Sequence, residues 1–418
     1  MDKSLPEGWH YKSLAEIANI YNGNSINTRV KKEKYMSGGV GWNYIATKDI
    51  GFDCLVNYGN GVKIPKSETN FRIAPKGSVL VCSEGGSAGK KSAYITQDVC
   101  FGNKLYAITN HKGLFDEKYV FYFTRYNLFF ESFKTKMNGI IGGVSTKKFG
   151  QILIPLPSIM IQKAIVAKIE ELFSELDKGV GALQKIKEQL KVYRQAVLKD
   201  AYSLENEKKC MLKECCNFIT KGTTPKKNEM IDYKGEIPFI KVYNLTFTGQ
   251  LDFSIDPTFI SAETHKGFLG RSITIPNDVL MNIVGPPMGK VSIVPNTYPE
   301  WNINQAIVRF RCLETLNYKY LAYFLMFSKT IEKMKRKAKA TAGQFNLTLE
   351  ICRDLEIPLP CIERQVEIIT EIESRLSICE RIEQIVDEAL LKAESLRQSI
   401  LKKAFEGKLV TQEETING

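Results

Sequence analysis

Two stretches of this 418-residue chain carry apolar side chains at steps of three and four over some forty positions. The first runs through Ile165, Ile169, Leu172, Leu176, Val180, Leu183, Ile186, Leu190, Tyr193 and Val197. The second runs through Ile368, Ile372, Leu376, Cys379, Ile382, Val386, Ala389, Ala393, Leu396 and Ile400. Charged residues fill the intervals, as in IEELFSELDKG and EIESRLSICERIEQ. That spacing predicts two amphipathic helices with coiled-coil stripes, each about 60 Å long at 1.5 Å per residue. Each begins after an Ile-Pro-Leu-Pro run, at 154–157 and 357–360, whose prolines cannot continue a helix.

Elsewhere the pattern shortens. WNYIA (42–46), SVLVC (78–82), IPFIKVYNL (237–245) and SITI (272–275) read as β-runs between Gly, Pro and Asn punctuation. Stretches 117–134 and 318–339 read as amphipathic helices. Residues 1–157 and 205–360 are therefore expected to form mixed α/β globules. The helices occupy 158–204 and 361–408, and 409–418 is a tail.

The two halves repeat each other at about 200 residues. VLVCSEGGSAGKKSAY (79–94) matches VLMNIVGPPMGKVSIV (279–294), with Gly89-Lys90 on Gly289-Lys290. KYVFYF (118–123) matches KYLAYF (319–324), ILIPLP matches LEIPLP, and YRQAVLKDAY (193–202) matches LRQSILKKAF (396–405). The first helix runs straight into the second globule, and that globule into the second helix. If the second globule is compact, the helices pair antiparallel. The expected fold is α+β, with two mixed α/β globular domains separated by two long helices packed as an antiparallel coiled coil, pseudo-twofold.

Charge gives this shape a ligand. The net charge is +12. Residues 1–157 hold 21 basic against 12 acidic side chains, 205–360 hold 21 against 16, and 361–418 hold 8 against 12. A localised basic excess is the footprint of a polyanion binder. Sites on one face of B-DNA recur about every 34 Å, a gap that two heads on a rod of about 60 Å can span. Ten cysteines without a CxxC pair, and three histidines, point to buried reduced thiols rather than zinc or disulfides. No 18-residue apolar run marks a membrane span and no signal-like segment opens the chain, so a cytoplasmic location is expected.

SEGGSAGKKS (83–92) invites a P-loop reading and fails it. Glu84 stands where the first glycine belongs, Lys91 where Ser or Thr belongs, and a β-prone run follows instead of a helix. In the second copy Val284 and Val291 fail at the same places. What both copies keep is strand, tight loop, Gly-Lys, strand, which suits phosphate contact without hydrolysis.

LPEGW (5–9), TKGTTP (220–225), the Gly-Lys loops, the two IPLP boundaries and above all LRQSILKKAFEGKLV (396–410) resemble the specificity (S) subunits of type I DNA restriction–modification enzymes. YNGNSIN (21–27) departs from the Gly-Thr-Pro pattern at the equivalent place. The resemblance implies two target-recognition domains that each read part of a split, asymmetric site in double-stranded DNA. It implies helices that set the spacer and dock two modification (M) subunits, with restriction (R) subunits joining. It implies a non-catalytic chain without a cofactor of its own. S-adenosylmethionine belongs to the methylase partner, and ATP and Mg to the restriction partner. No Asn-Pro-Pro-Phe/Tyr or Asp-Pro-Pro-Tyr tetrapeptide for amino-methylation is present, and Gly285-Pro286-Pro287-Met288 reads as a tight turn.

Candidate phosphate contacts are Lys90, Lys91 and Lys290 at the loop tips, then Lys221, Thr223, Lys226 and Lys227 in TKGTTPKK. The run Lys333, Lys335, Arg336, Lys337 and Lys339 is a backbone-contacting helix end or a solvated face. Candidate base readers are Lys48, Lys241, Asn43, Asn244 and Gln344. NGIIGG (138–143) and ATAG (340–343) are either close-approach or plain connecting loops. Asn103 and Asn304 suit turns, and His10, His111 and His265 are expected to be structural or solvent-facing. Two rival readings stand beside DNA recognition: a coiled-coil scaffold whose basic heads bind acidic protein partners, and a P-loop ATPase.

Overall fold

The computed structural model describes residues 5–36, 39–110, 113–137, 139, 142–204, 206–338, 340, 341 and 344–410. The chain divides into two compact units, one of residues 1–183 with 388–418 and one of residues 184–387. Each unit holds one mixed α/β head and half of each long helix.

The first head is built on a four-stranded sheet. Its strands are β1 (Asn19–Asn22), β2 (Val79–Cys82), β3 (Ser92–Tyr94) and β4 (Leu105–Thr109), in the order β1-β4-β2-β3 and antiparallel throughout. The second head repeats it with β5 (Cys216–Lys221), β6 (Val279–Asn282), β7 (Val291–Ile293) and β8 (Ile307–Cys312), in the order β5-β8-β6-β7. β2, and β6 up to its final Asn282, read as unbroken apolar runs because they are buried on both faces. Successive side chains point to opposite faces. Val79 and Val81 therefore join the core beneath the helices, while Leu80 and Cys82 join a second core under the other small sheet of the head. Val279 and Met281, against Leu280, divide in the same way.

Where the chain joins and leaves each head, the two segments pair. His10–Ser13 is antiparallel to Leu153–Leu156, and Lys209–Met211 to Glu356–Pro358. The IPLP runs thus begin as strands. A two-stranded ladder is all edge, where proline is tolerated.

Each expected amphipathic helix of a head is in fact two helices, Glu117–Arg125 with Asn127–Thr135 and Tyr318–Met326 with Ser328–Lys337. Tyr126 and Phe327 interrupt them with extended backbone, ψ 136° and 124°. A break orphans backbone groups, and a glutamine satisfies them. The Gln398 amide donates to Arg125 O at 3.1 Å and accepts from Asn127 N at 3.1 Å. Gln195 does the same for Met326 O and Ser328 N, at 3.3 and 2.7 Å. SITI does not form a strand: Gly270–Ser272 is a 3-10 turn and Thr274 makes an isolated bridge to Trp301. IPFIKVYNL is a strand only through Ile240, followed by a 3-10 turn at Val242–Asn244.

The long helices span Ile159–Tyr202 and Ile362–Phe405. They pack antiparallel. In the second unit Lys187 pairs with Asp387 at 2.7 Å, Arg194 with Glu383 at 2.7 Å and Asp200 with Arg375 at 3.2 Å, so one number falls as the other rises. In the first unit Arg397 pairs with Asp177. The apolar stripe holds at both ends of the helices, where Ile165, Ile169, Val197, Ile368, Ile372 and Ile400 are buried. Three expected positions depart from it: Ile186, Tyr193 and Leu396 are exposed, and beside the last two Arg194 and Arg397 turn inward in their place. Exposed apolar residues, including Tyr193, Ile378, Ile385, Leu391 and Leu396, remain on the outer helix faces.

A second glutamine pair ties each head to its own following helix. Gln162 is fully buried; it accepts from Asp116 N at 2.8 Å and donates to Leu114 O and Pro157 O. Gln365 is also fully buried and treats Asn317 N, Thr315 O and Pro360 O alike.

The cysteines differ in part from expectation. Cys210 and Cys215 bring their sulfurs together, Cys361 is exposed, and Cys54 and Cys312 are half-buried. Cys82, Cys100, Cys216, Cys352 and Cys379 are buried free thiols. No helix among the described residues is long and apolar enough to cross a membrane.

Candidate nucleic-acid interface

Each head carries three matched segments: the loop before the third sheet strand, a 3-10 turn that this loop's lysine reaches, and the loop that opens the head. In the second head Asn282, at the end of β6, shapes VGPPMGK. Its carbonyl accepts from Gly289 N and Lys290 N at 2.9 and 2.7 Å, and its amide donates to Pro287 O at 2.8 Å. Gly289 has φ +94° beneath Ile331, so a side chain there is strained. These loop amides are spent within the loop and a strand follows, which is not the phosphate cradle of a P-loop.

The 3-10 turns are matched as well. Lys241 N donates to Asn244 Oδ1 at 2.9 Å, and Ala46 N donates to Asp49 Oδ2 at 2.9 Å. Lys290 Nζ lies 3.5 Å from Val242 O, and Lys91 Nζ lies 3.4 Å from Thr47 O. Lys91, not Lys90, is thus the counterpart of Lys290. The first loop is one residue longer, and the register confirms this. Cys82 N donates to Lys91 O, as Asn282 N donates to Lys290 O. Lys90 is exposed, 6.0 Å from the Phe130 ring. Lys91 and Lys290 are half-buried and lean on their turns, so they are less free than a loop-tip reading expects.

Asn244 is not a base reader in this geometry. It is 1% exposed, and its amide also donates to Asp252 O and Ile255 O. It braces the turn that presents Lys241. Lys48 is exposed on the equivalent turn. Lys31 lies close by; burial first, and then the charge of Lys48, lower its pKa from the ordinary lysine value. Lys241 spreads over the Tyr243 ring at 5.6 Å. Asn43 lies in the strand Trp42–Ile45, half-buried. Gln344 pairs through its backbone with Thr341 in a short hairpin.

The opening loops show why YNGNSIN and TKGTTP are equivalent. A Cβ on Gly23 would fall 1.9 Å from Phe101 O, and one on Gly222 2.1 Å from Ile303 O. Both glycines allow the same close backbone crossing. Each loop is held by an arginine that no local sequence pattern marks. Arg271 Nε donates to Thr223 Oγ1 at 3.0 Å. Arg72 donates to Asn22 O and Oδ1, and its amide donates to Asn24 Oδ1. Lys221, Lys226 and Lys227 are exposed along the second opening loop.

The other candidates scatter. Lys333 pairs with Glu356 at 3.1 Å, near the paired strands at the base of the head, while Lys339 lies outside the described residues. Asn138, Ile140 and Ile141 of NGIIGG, Ala342 and Gly343 of ATAG, and His111 also lie outside them, as do residues 411–418 of the tail. Asn304 closes a turn by accepting from Ala306 N, and Asn103 sits exposed in a turn. His265 is fully buried between Glu300 and Asn302, each at 3.1 Å, and His10 is exposed on its strand. Among the described residues no group of three or more His, Cys, Asp or Glu side chains is placed to hold a metal.

Known proteins share this fold. Residues 6–189 and 205–389 each match the domain described as the type I restriction modification DNA specificity domain. The specificity subunit of the type I restriction enzyme EcoKI, from Escherichia coli K12, is 24% identical over 98% of this chain and 90% of its own length. A chain from a structure described as the basis of complex assembly and conformational transition in the type I R-M system superposes with a TM-score of 0.75. It is 18% identical, over 97% of this chain and all of that one. The HsdS subunit of Thermoanaerobacter tengcongensis superposes at 0.53, with 17% identity over 97% of this chain and 98% of its own.

Proposed function

Because this chain belongs to the type I restriction–modification DNA specificity family, carrying that domain twice, we propose that each head reads one part of a split, asymmetric duplex site. The chain is the non-catalytic DNA-recognition subunit of such an enzyme. The rival reading as a scaffold for acidic proteins has no support among its relatives.

The observation that carries the finer reading is the duplicated lysine-bearing turn and loop: Lys48 and Lys91 in one head, Lys241 and Lys290 in the other. Two copies of one frame with unlike side chains around it suit two half-sites of different sequence. Lys90, Lys91, Lys290, Lys221, Lys226 and Lys227 are assigned to phosphate. Thr223, Lys48 and Lys241 are assigned to the same surface, and Arg72 and Arg271 are added to it. Phosphate contacts set register while base edges carry sequence.

The domain limits of 1–157, 158–204, 205–360 and 361–408 are kept as functional modules. The long helices serve as the spacer. Their outer apolar residues, Tyr193, Ile378, Ile385 and Leu396, dock two methylase subunits, and restriction subunits then join. S-adenosylmethionine resides on the methylase, and ATP and Mg on the restriction partner. The cytoplasm, where host DNA is accessible, is the place of action.

The test is selection from a pool of random duplexes by the full chain together with its methylase. A bipartite motif is expected. Recovery of no motif, or of one continuous motif, would contradict the assignment.

A further inference from the structure

Directly after each 3-10 turn the chain makes a five-residue hairpin that the repeat in the sequence does not reveal. Isolated bridges close it, Ile50 to Val56 in the first head and Leu245 to Leu251 in the second. Between them lie Gly51-Phe52-Asp53-Cys54-Leu55 and Thr246-Phe247-Thr248-Gly249-Gln250. The fourth residue is left-handed in both, Cys54 at φ 67° and Gly249 at φ 86°. The two hairpins are the same device, and phenylalanine is the one residue they share.

Neither phenylalanine belongs to a buried core, although Phe52 lines the edge of a cleft with Tyr122, Arg125 and Phe173. Phe52 is 70% exposed and Phe247 54%. The backbone beneath each is fixed. Gly51 N donates to Leu55 O at 2.9 Å and Leu55 N to Asp53 Oδ1 at 3.0 Å. Val291 N donates to Thr246 O at 3.0 Å, Ile293 N to Gly249 O at 2.8 Å, and Thr246 Oγ1 to Gln250 O at 2.7 Å. A single exposed aromatic residue is ordinary on a protein surface. The same one at the same place in two copies, where the other four residues have all diverged, calls for a ligand.

Charge names the ligand. Lys91 Nζ lies 4.7 Å over the Phe52 ring and also reaches the preceding turn, as Lys290 reaches the turn before Phe247. Lysines beside an exposed ring favour a polyanion with apolar faces, and duplex DNA offers phosphates and base planes within one side chain's reach. We propose that Phe52 and Phe247 are wedges, each inserting at a base step of its own half-site while the adjacent lysine holds the flanking phosphate. Apolar side chains used in this way unstack the step they enter and kink the duplex.

The inference rests on the DNA-recognition reading, and one experiment separates the two. The probe is the duplex that the full chain and its methylase select from a random pool, with permanganate reactivity at each thymine and 2-aminopurine fluorescence at each adenine as readouts of unstacking. The wild type is expected to unstack one step in each half. Phe247→Ser should abolish the signal in one half only and weaken binding about 10-fold, within the range of base–aromatic contacts, at an unchanged salt slope. Phe247→Leu, still an apolar wedge, should keep most of the affinity and the signal. Phe52→Ser should repeat the loss in the other half. Wild-type affinity and wild-type unstacking in both serine variants would overturn the wedge. So would a loss of methylase binding with DNA contact intact. If Lys290→Ala lowers the salt slope while the serine variants change nothing, only the wedge falls. If the wild type selects no duplex at all, the recognition reading falls with it.

Discussion

Gln398 holds the backbone of Arg125 and Asn127, 273 and 271 residues earlier in the chain, through one side-chain amide. Gln195 holds Met326 and Ser328 in the same way. These are the glutamines of YRQAVL and LRQSIL, so the most alike segments of the repeat carry the clamp between a head and the helix pair. A recognition head that rocks on its support loses register on DNA, and a two-point attachment limits that motion.

Gln398→Ala should therefore destabilise the first unit by about 1 kcal/mol, because the Arg125 carbonyl is only partly buried and the Asn127 amide is exposed. Gln398→Glu should cost at least as much, because it keeps an acceptor for Asn127 and sets a carboxylate against the Arg125 carbonyl. The fully buried Gln162 and Gln365 each lose three partners on replacement by alanine, and about 3 kcal/mol is expected for each. Urea unfolding of the full chain measures all four. Variants at or near wild-type stability would remove the clamp from the account.

The one-residue difference between the Gly-Lys loops makes a separate prediction. Lys91→Ala and Lys290→Ala should weaken DNA binding alike at every sequence, each lowering the slope of log K against log salt by about 1. A slope change in Lys90→Ala with none in Lys91→Ala would restore the simple alignment of Gly-Lys with Gly-Lys. A loss confined to one base position would contradict a phosphate role for either residue.

Helix docking is tested on the outward apolar residues. Ile378→Glu and Ile385→Glu lie on an exposed face and should leave the fold intact. Burying an isoleucine is worth about 1.5–3 kcal/mol, so each change should weaken assembly with the methylase 10-fold or more in a sedimentation titration. Undiminished assembly would place the docking surface elsewhere.

Much of this was legible in the sequence because it follows from periodicity. The two long helices and the strand VLVC needed only the spacing of apolar residues, the antiparallel pairing needed the order of the segments, and the strand VLMN needed the repeat. What escaped depends on contacts between distant segments. Tyr193 and Leu396 fit the helical stripe, yet Arg194 and Arg397 take the inward places because acidic residues on the facing helix meet them there. The breaks at Tyr126 and Phe327 carry no Pro or Gly; a glutamine from far along the chain makes them affordable. Asn244 looked like a reader of adenine because an amide can be one, but its partners at Asp252 and Ile255 lie beyond a turn that local pattern does not show. The glycine of YNGNSIN was present all along, and only the carbonyl of Phe101 above it reveals that it does the work of the glycine in TKGTTP.

The central claim is that two heads on one chain read DNA independently. The most direct measurement replaces residues 205–360 with the corresponding domain of another specificity subunit and maps adenine methylation across a host genome expressing the chimera with the methylase. One half of a split motif should change, with the other half and the spacer retained. Change in both halves, or methylation at a single continuous motif, would contradict it.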